Sequence, residues 1–168
     1  LELRQAFLLT NSAWISIALF GSLPFLLSDI EMSFIDAFFE STSGITTTGA
    51  TVIENLEAKS HGILIWRALL QWLGGVGIIV MALAVLPMLS IGGMQLFKTE
   101  SYETPDKVVP KAASFAAGIS IVYITLTVIW ALMLWGAGMP MFDSIAHAMT
   151  TLATGGYSTK SESLACLL

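Results

Sequence analysis

Apolar stretches of two lengths alternate along the chain. Leu8 to Leu27 is apolar apart from Thr10, Asn11, Ser12, Ser16 and Ser22, with Arg4 before it and Asp29 and Glu31 after. About 20 apolar residues cross a bilayer as a helix, so this is a predicted span. Met32 to Ser43 is apolar but too short to cross; Ser33 is its N-cap and Asp36 lies in its first turn. A second long run, Ile63 to Phe97, exceeds the need of one span. Gly74, Gly75 and Gly77 in its first half predict close packing against a loop or another span, while Pro87, Gly92 and Gly93 predict a bend or break before Lys98. Ala112 to Trp135 is a third span, and Phe142 to Thr150 a second short helix.

Each short helix leads into a polar loop. Ile45-Thr46-Thr47-Thr48-Gly49-Ala50-Thr51 places three consecutive threonines, a glycine and a fourth threonine between long apolar segments, and the pattern returns 107 residues later. Asp36 aligns with Asp143, Thr47 with Thr154, Gly49 with Gly156 and Thr51 with Ser158. The second copy, Thr154-Gly155-Gly156-Tyr157-Ser158, is close in character to the TVGYG loop whose carbonyls line potassium filters. A Thr/Gly cluster alone reads as an ordinary turn; its repetition at fixed spacing reads as a re-entrant pore loop. The expected fold is an all-α integral membrane protein of repeated units, each a span, a re-entrant pore helix with filter loop, and a span. The first unit covers 1–97, a charged linker 98–111, and the second unit 112–168, truncated before its final helix. Both loops follow an odd-numbered span and open to one face.

Composition narrows the function classes. Of 168 residues 55% are hydrophobic and 11% charged, with a mean hydropathy of +0.80, against about a quarter charged in soluble domains. The net charge of -5 comes with no basic patch, so no nucleic-acid partner is expected. The single Cys166 allows no internal disulfide, and the first apolar segment does not read as a cleavable signal peptide. Lys59, Arg67 and Lys160 lie on the loop side; Arg4, Lys98, Lys107 and Lys111 lie on the other. By the positive-inside rule the Lys98–Lys111 linker is cytoplasmic and the loops face outside. An acidic excess on the loop side, including Glu31, Glu54, Glu57 and Asp143, would concentrate cations there.

The loop chemistry suits a monovalent cation. A dehydrated ion needs several oxygens at close range, and non-helical backbone survives at membrane depth only where it lines a cavity or is buried in protein. Gly49 and Gly156 supply the dihedral freedom. Thr47, Thr48 and Thr154 add uncharged hydroxyl oxygens, and each short helix directs its partially negative C-terminal end at the path. The run Gly74-Gly75-Val76-Gly77 has no Gly-Lys-Ser/Thr after it and reads as packing, not phosphate binding. His61 and His147 are not read as ligands; His147 aligns with Glu40, a polar position behind the loop. Arg67, Trp66, Trp72, Trp130 and Trp135 read as interface anchors, and Met81, Met88 and Met94 as packing. No nucleophile with a matching base stands out, so no enzyme is expected.

The stretches DAFFESTSGITTTGATVI, QWLGGVGIIVMALAVLPMLSIGGMQLF and FDSIAHAMTTLATGGYST resemble the first two repeats of the Trk/Ktr/HKT potassium transporters, most closely the TrkH-type branch. The resemblance implies potassium uptake in a bacterial inner membrane, with K+ as the transported ion and no organic cofactor in this chain. It implies carbonyl coordination around Thr47, Thr48, Gly49 and Ala50, and around Thr154, Gly155, Gly156 and Tyr157. It further implies two more repeats completing one pore within surrounding lipid, a homodimer, and a cytoplasmic nucleotide-binding regulatory subunit. With under two repeats here, the chain is expected to be part of a longer protein. Two other readings stand beside it: a non-conducting structural membrane segment, and a sodium-permeable relative. In this family a serine replacing a filter glycine is associated with sodium passage, and both positions here are glycine.

Overall fold

A computed structural model of the chain describes residues 3–89 and 108–161. The helices, in order, are α1 (Leu3–Leu26), α2 (Phe34–Ile45), a 3-10 turn (Leu56–Ala58), α3 (His61–Leu89), α4 (Val108–Gly136) and α5 (Met141–Leu152). Among the described residues there is no strand. Among the described residues three helices are long and apolar enough to cross a membrane, over Phe7–Leu26, His61–Ile79 and Ala117–Gly136. α2 and α5 have 12 residues each and are too short to cross.

Most boundaries follow from local chemistry. Ser33 caps α2, its Oγ accepting from the Asp36 N–H at 3.2 Å and donating to Asp36 Oδ2 at 2.7 Å. α4 starts earlier than the sequence predicts. Val108 to Lys111, expected in the solvated linker, forms its first turn, where Pro110 costs little because the first N–H groups of a helix have no partner to lose. α3 runs through Pro87 to Leu89; Gly92, Gly93, Lys98 to Lys107 and Cys166 lie outside the described residues.

The two short helices pack on α3 from different sides. Gly74 of α3 lies so close to the carbonyl oxygen of Ile45 that a Cβ there would overlap it. One residue on, Gly75 faces Ala153 and the Tyr123 hydroxyl. Both fit the close approach that small residues permit between membrane helices. Among the described residues nothing lies within 4 Å of a Cβ at Gly77. Towards the loop end, Phe25, Ala37, Ile53, Leu56, Ile63, Leu64 and Leu70 form the apolar core that seats α2 between α1 and α3. Two tryptophans expected at the membrane interface are instead internal ties. Trp66 Nε1 donates to Gly21 O at 3.0 Å and Trp72 Nε1 to Thr127 Oγ1 at 3.0 Å, satisfying indole donors that the bilayer core would leave unpaired. Trp130 and Trp135 are exposed.

Candidate ion-coordinating loops

The turns that end the two short helices repeat bond for bond. At the end of α2, Thr47 N–H donates to Gly44 O and Thr48 N–H to Ser43 O, both at 2.9 Å; at the end of α5, Thr154 N–H donates to Thr151 O and Gly155 N–H to Thr150 O, both at 2.9 Å. Thr47 and Thr154 each have φ 56, and Gly49 and Gly156 have φ 80 and 82. Glycine enters this left-handed region freely, but a β-branched threonine is strained there. Strain repeated at aligned positions marks a conformation imposed by the surrounding structure, of the sort found at functional sites. The sequence points to the glycines and gives no sign of the threonines' strain.

The loops meet at Gly49, whose Cα abuts the carbonyl oxygen of Gly155 so closely that a Cβ would overlap it. Thr48, Ala50, Thr154 and Gly156 are exposed, Thr47 and Gly49 half-buried, Gly155 and Tyr157 buried. Two carbonyls are already engaged. Ala50 O accepts from Ser43 Oγ at 2.6 Å and from Tyr157 Oη at 3.2 Å, and Gly155 O accepts from Gln71 Nε2 at 2.9 Å. Among the described residues, no hydrogen-bond donor reaches the carbonyls of Thr47, Thr48, Gly49, Thr154, Gly156 or Tyr157. Thr48 Oγ1 pairs with Thr46 Oγ1 at 2.8 Å, and Thr154 Oγ1 donates to Ala153 O at 2.7 Å, which leaves the latter's lone pairs free to accept.

Behind the loops lies a buried polar network. Glu40, fully buried, takes Arg67 Nε at 2.7 Å, the Thr51 hydroxyl at 2.9 Å and the Val52 N–H at 3.0 Å. Arg67 is 1% exposed, so it is no interface anchor. Its Nη1 donates to Ser158 O at 3.0 Å, and its guanidinium stacks 4.0 Å from the Tyr157 ring centre. Tyr157 Oη also donates to Glu40 O at 2.9 Å. On the second repeat His147, aligned with Glu40, bonds Ser158 Oγ at 3.0 Å through Nε2, as Glu40 bonds Thr51. His147 Nδ1 meets Asp143 O at 2.8 Å, and His61 packs edge-on to Phe142. Neither histidine belongs to a metal-ligand group among the described residues.

Gln71 is the residue at the loops that reading the sequence misses, and Arg67 is one whose role it misassigns. Their signal is present, since two polar side chains four residues apart share one face of an apolar helix, and polar groups at membrane depth normally have buried partners. At the solvent end, Glu57 receives the Ser161 N–H at 2.7 Å and the Ser161 hydroxyl at 2.8 Å. The Ser161 backbone bond, foremost, holds its carboxyl below the ordinary glutamate value.

Residues 1–167 match the TrkH family of cation transport proteins. The chain is 46% identical over 167 residues to the Trk system potassium uptake protein TrkH of Salmonella typhimurium, covering 98% of this chain and 35% of that protein. It is 45% identical over 159 residues to the Trk system potassium uptake protein TrkI of Halomonas elongata, covering 95% of this chain and 32% of that protein. The crystal structure of the potassium transporter TrkH from Vibrio parahaemolyticus superposes with a TM-score of 0.82 at 44% identity, covering 95% of this chain and 31% of that one. The chain thus spans about a third of the length of these relatives.

Proposed function

This chain belongs to the TrkH family of cation transport proteins, and from that premise we propose that it supplies the first two of four filter loops in a potassium uptake protein. The observation that carries the reading is the paired loop geometry: equal left-handed turns at Thr47/Thr154 and Gly49/Gly156, meeting at Gly49. The free carbonyls of Thr47, Thr48, Gly49, Thr154, Gly156 and Tyr157 replace part of the hydration shell of K+, the cargo. The Ala50 and Gly155 carbonyls, expected in the same set, act mainly as braces because side chains already occupy them. Two loops give half a shell, and the other half comes from two further repeats in a protein of the relatives' length. α2 and α5 end at the loops, so their partially negative ends favour a cation there.

In this reading the units are 1–97 and 112–168, joined by a cytoplasmic linker, with the loops facing outside a bacterial inner membrane. The protein is a transporter and not an enzyme, works as a homodimer, and is regulated by a cytoplasmic nucleotide-binding subunit. Both filter glycines favour potassium over sodium.

The test is growth on low potassium of bacteria lacking potassium uptake. They would carry this chain alone, or a full-length chimera in which it replaces the matching third of Vibrio parahaemolyticus TrkH. The chimera is expected to restore growth, and Gly156→Ser to abolish it or admit sodium. Gly156 is the cleaner position because its surroundings leave room for a side chain, whereas Gly49 has none. A Gly156→Ser chimera that grows and selects like the unmodified one overturns the filter reading in favour of a structural role.

A further inference from the structure

Resting on the filter reading, we propose that Gln71 is a positioning residue which aims the Gly156 carbonyl at the ion. Gln71 is fully buried in α3, a helix of the first repeat, yet both ends of its amide bind the loop of the second. Nε2 donates to Gly155 O at 2.9 Å, and Oε1 accepts the Tyr157 N–H at 3.1 Å. These two bonds grip consecutive peptide groups on either side of Gly156. In a planar trans peptide the N–H and C=O point in opposite directions. Holding the Tyr157 N–H towards buried Gln71 therefore turns the Gly156 carbonyl away from the protein interior, to the side where Gly156 is exposed.

Tyr157 is also anchored through its side chain, by Glu40 O, Ala50 O and the Arg67 guanidinium, but among the described residues only Gln71 bonds the peptide N–H itself. Gly156 has φ 82 and brings no side chain of its own to fix the peptide, and among the described residues nothing lies within 4 Å of where its Cβ would be. Gly155 fits the same arrangement, since a Cβ there would overlap the Gln71 amide. One turn before Gln71 on the same face, Arg67 holds the next carbonyl but one, that of Ser158, at 3.0 Å. The first loop is held otherwise, by Ser43, Glu40 and Tyr157. Thr48 stands at the position aligned with Gly155, where a Cβ beside the Gln71 amide would not fit. The two loops are thus unequal, and the second takes its carbonyl direction from the neighbouring repeat.

The experiment uses the full-length chimera and compares Gln71→Leu, Gln71→Glu and Trp72→Phe, reading potassium-over-sodium uptake beside the amount and melting temperature of purified protein. Gln71→Leu removes both bonds. Gln71→Glu keeps the volume and the acceptor for Tyr157 N–H but sets a carboxylate oxygen against Gly155 O. We expect both Gln71 variants to lower the uptake ratio about tenfold, the scale of one buried hydrogen bond lost. Trp72→Phe, which loses the bond to Thr127 and part of the ring contact with Tyr123 but touches neither loop bond of Gln71, is expected to lower the melting temperature and leave the ratio alone. Should Gln71→Leu not accumulate, the near-isosteric Gln71→Glu decides. Unchanged ratios in the Gln71 variants, with Gly156→Ser still shifting selectivity, overturn the positioning role while leaving the filter intact. An unchanged ratio in Gly156→Ser as well means that the filter reading itself has failed.

Discussion

Glu40 and Arg67 carry opposite charges at a depth where neither meets water. Each has been taken out of solvent at a cost of several kcal/mol that only its partner and the extra hydrogen bonds offset. Removing one side, as in Glu40→Ala or Arg67→Ala, is expected to destabilise the folded chimera by roughly 3–5 kcal/mol. The double variant should lose clearly less than the sum, as a double-mutant cycle on denaturant unfolding would read; additive losses would mean that the two groups act independently. Gly49 and Gly156 invite a similar contrast. Both have left-handed φ, which costs an alanine about 1–2 kcal/mol. Only Gly49 also faces backbone, the Gly155 carbonyl. Gly156→Ala should therefore leave a folded protein with altered transport, and Gly49→Ala should lower the yield of folded protein by far more, as size-exclusion profiles would show. The glycines were legible in the sequence because their spacing repeats. Tyr157 was legible as part of the second loop, but the bonds it and Gln71 make were not, because their partners lie up to 117 residues away and periodicity carries no such information.

The helices themselves were almost wholly legible. Hydrophobic length separates α1, α3 and α4 from α2 and α5, and the bilayer's thickness turns that length into a choice between crossing and not crossing. Ser33 announced the start of α2 through its side-chain oxygen. The onset of α4 was misplaced because Pro110 looks like loop, although a proline is harmless in a helix's first turn. What apolar length does not encode is which face of a span meets which neighbour. α3 illustrates this: Gly74, Gly75 and Gly77 read alike, yet Gly74 meets the Ile45 carbonyl, Gly75 meets Ala153, and Gly77 meets nothing within 4 Å. Gly74→Ala should push α2 off α3 and disturb the first loop at its root. It is expected to lower the chimera's melting temperature and its potassium uptake together, while Gly77→Ala changes neither. Equal behaviour of the two variants would mean that the Gly74 contact is soft enough to yield.

The three spans differ in how much of themselves they hide: 39% of the α3 span is buried, against 17% for α1 and 6% for α4. α3 is therefore the internal post on which both short helices and both loops lean, while α1 and α4 leave Leu, Ile, Val and Phe uncovered by the described residues. The two repeats are joined around that post, inside the fold, by Arg67, Gln71 and Tyr157, and at the exposed end by Glu57 and Ser161. This outer tie responds to pH. Because the Ser161 N–H and hydroxyl favour the ionised carboxylate, the folded pKa of Glu57 lies below its ordinary value of 4.5. A group whose pKa falls on folding binds fewer protons folded than unfolded, so its stabilisation is complete above the unfolded value and is lost as pH falls through the folded one. The tie should hold unchanged at neutral pH, weaken once the pH drops below 4.5, and be absent below the lowered folded value. Amide hydrogen exchange at Ser161 reads this directly, with Glu57→Gln as the reference because the amide keeps an acceptor but does not titrate. Protection relative to the variant is expected to be constant at neutral pH and to fall to parity in acid. A ratio that stays flat into acid would mean that the carboxylate's charge adds nothing to the tie, and that the repeats are joined by the buried contacts alone.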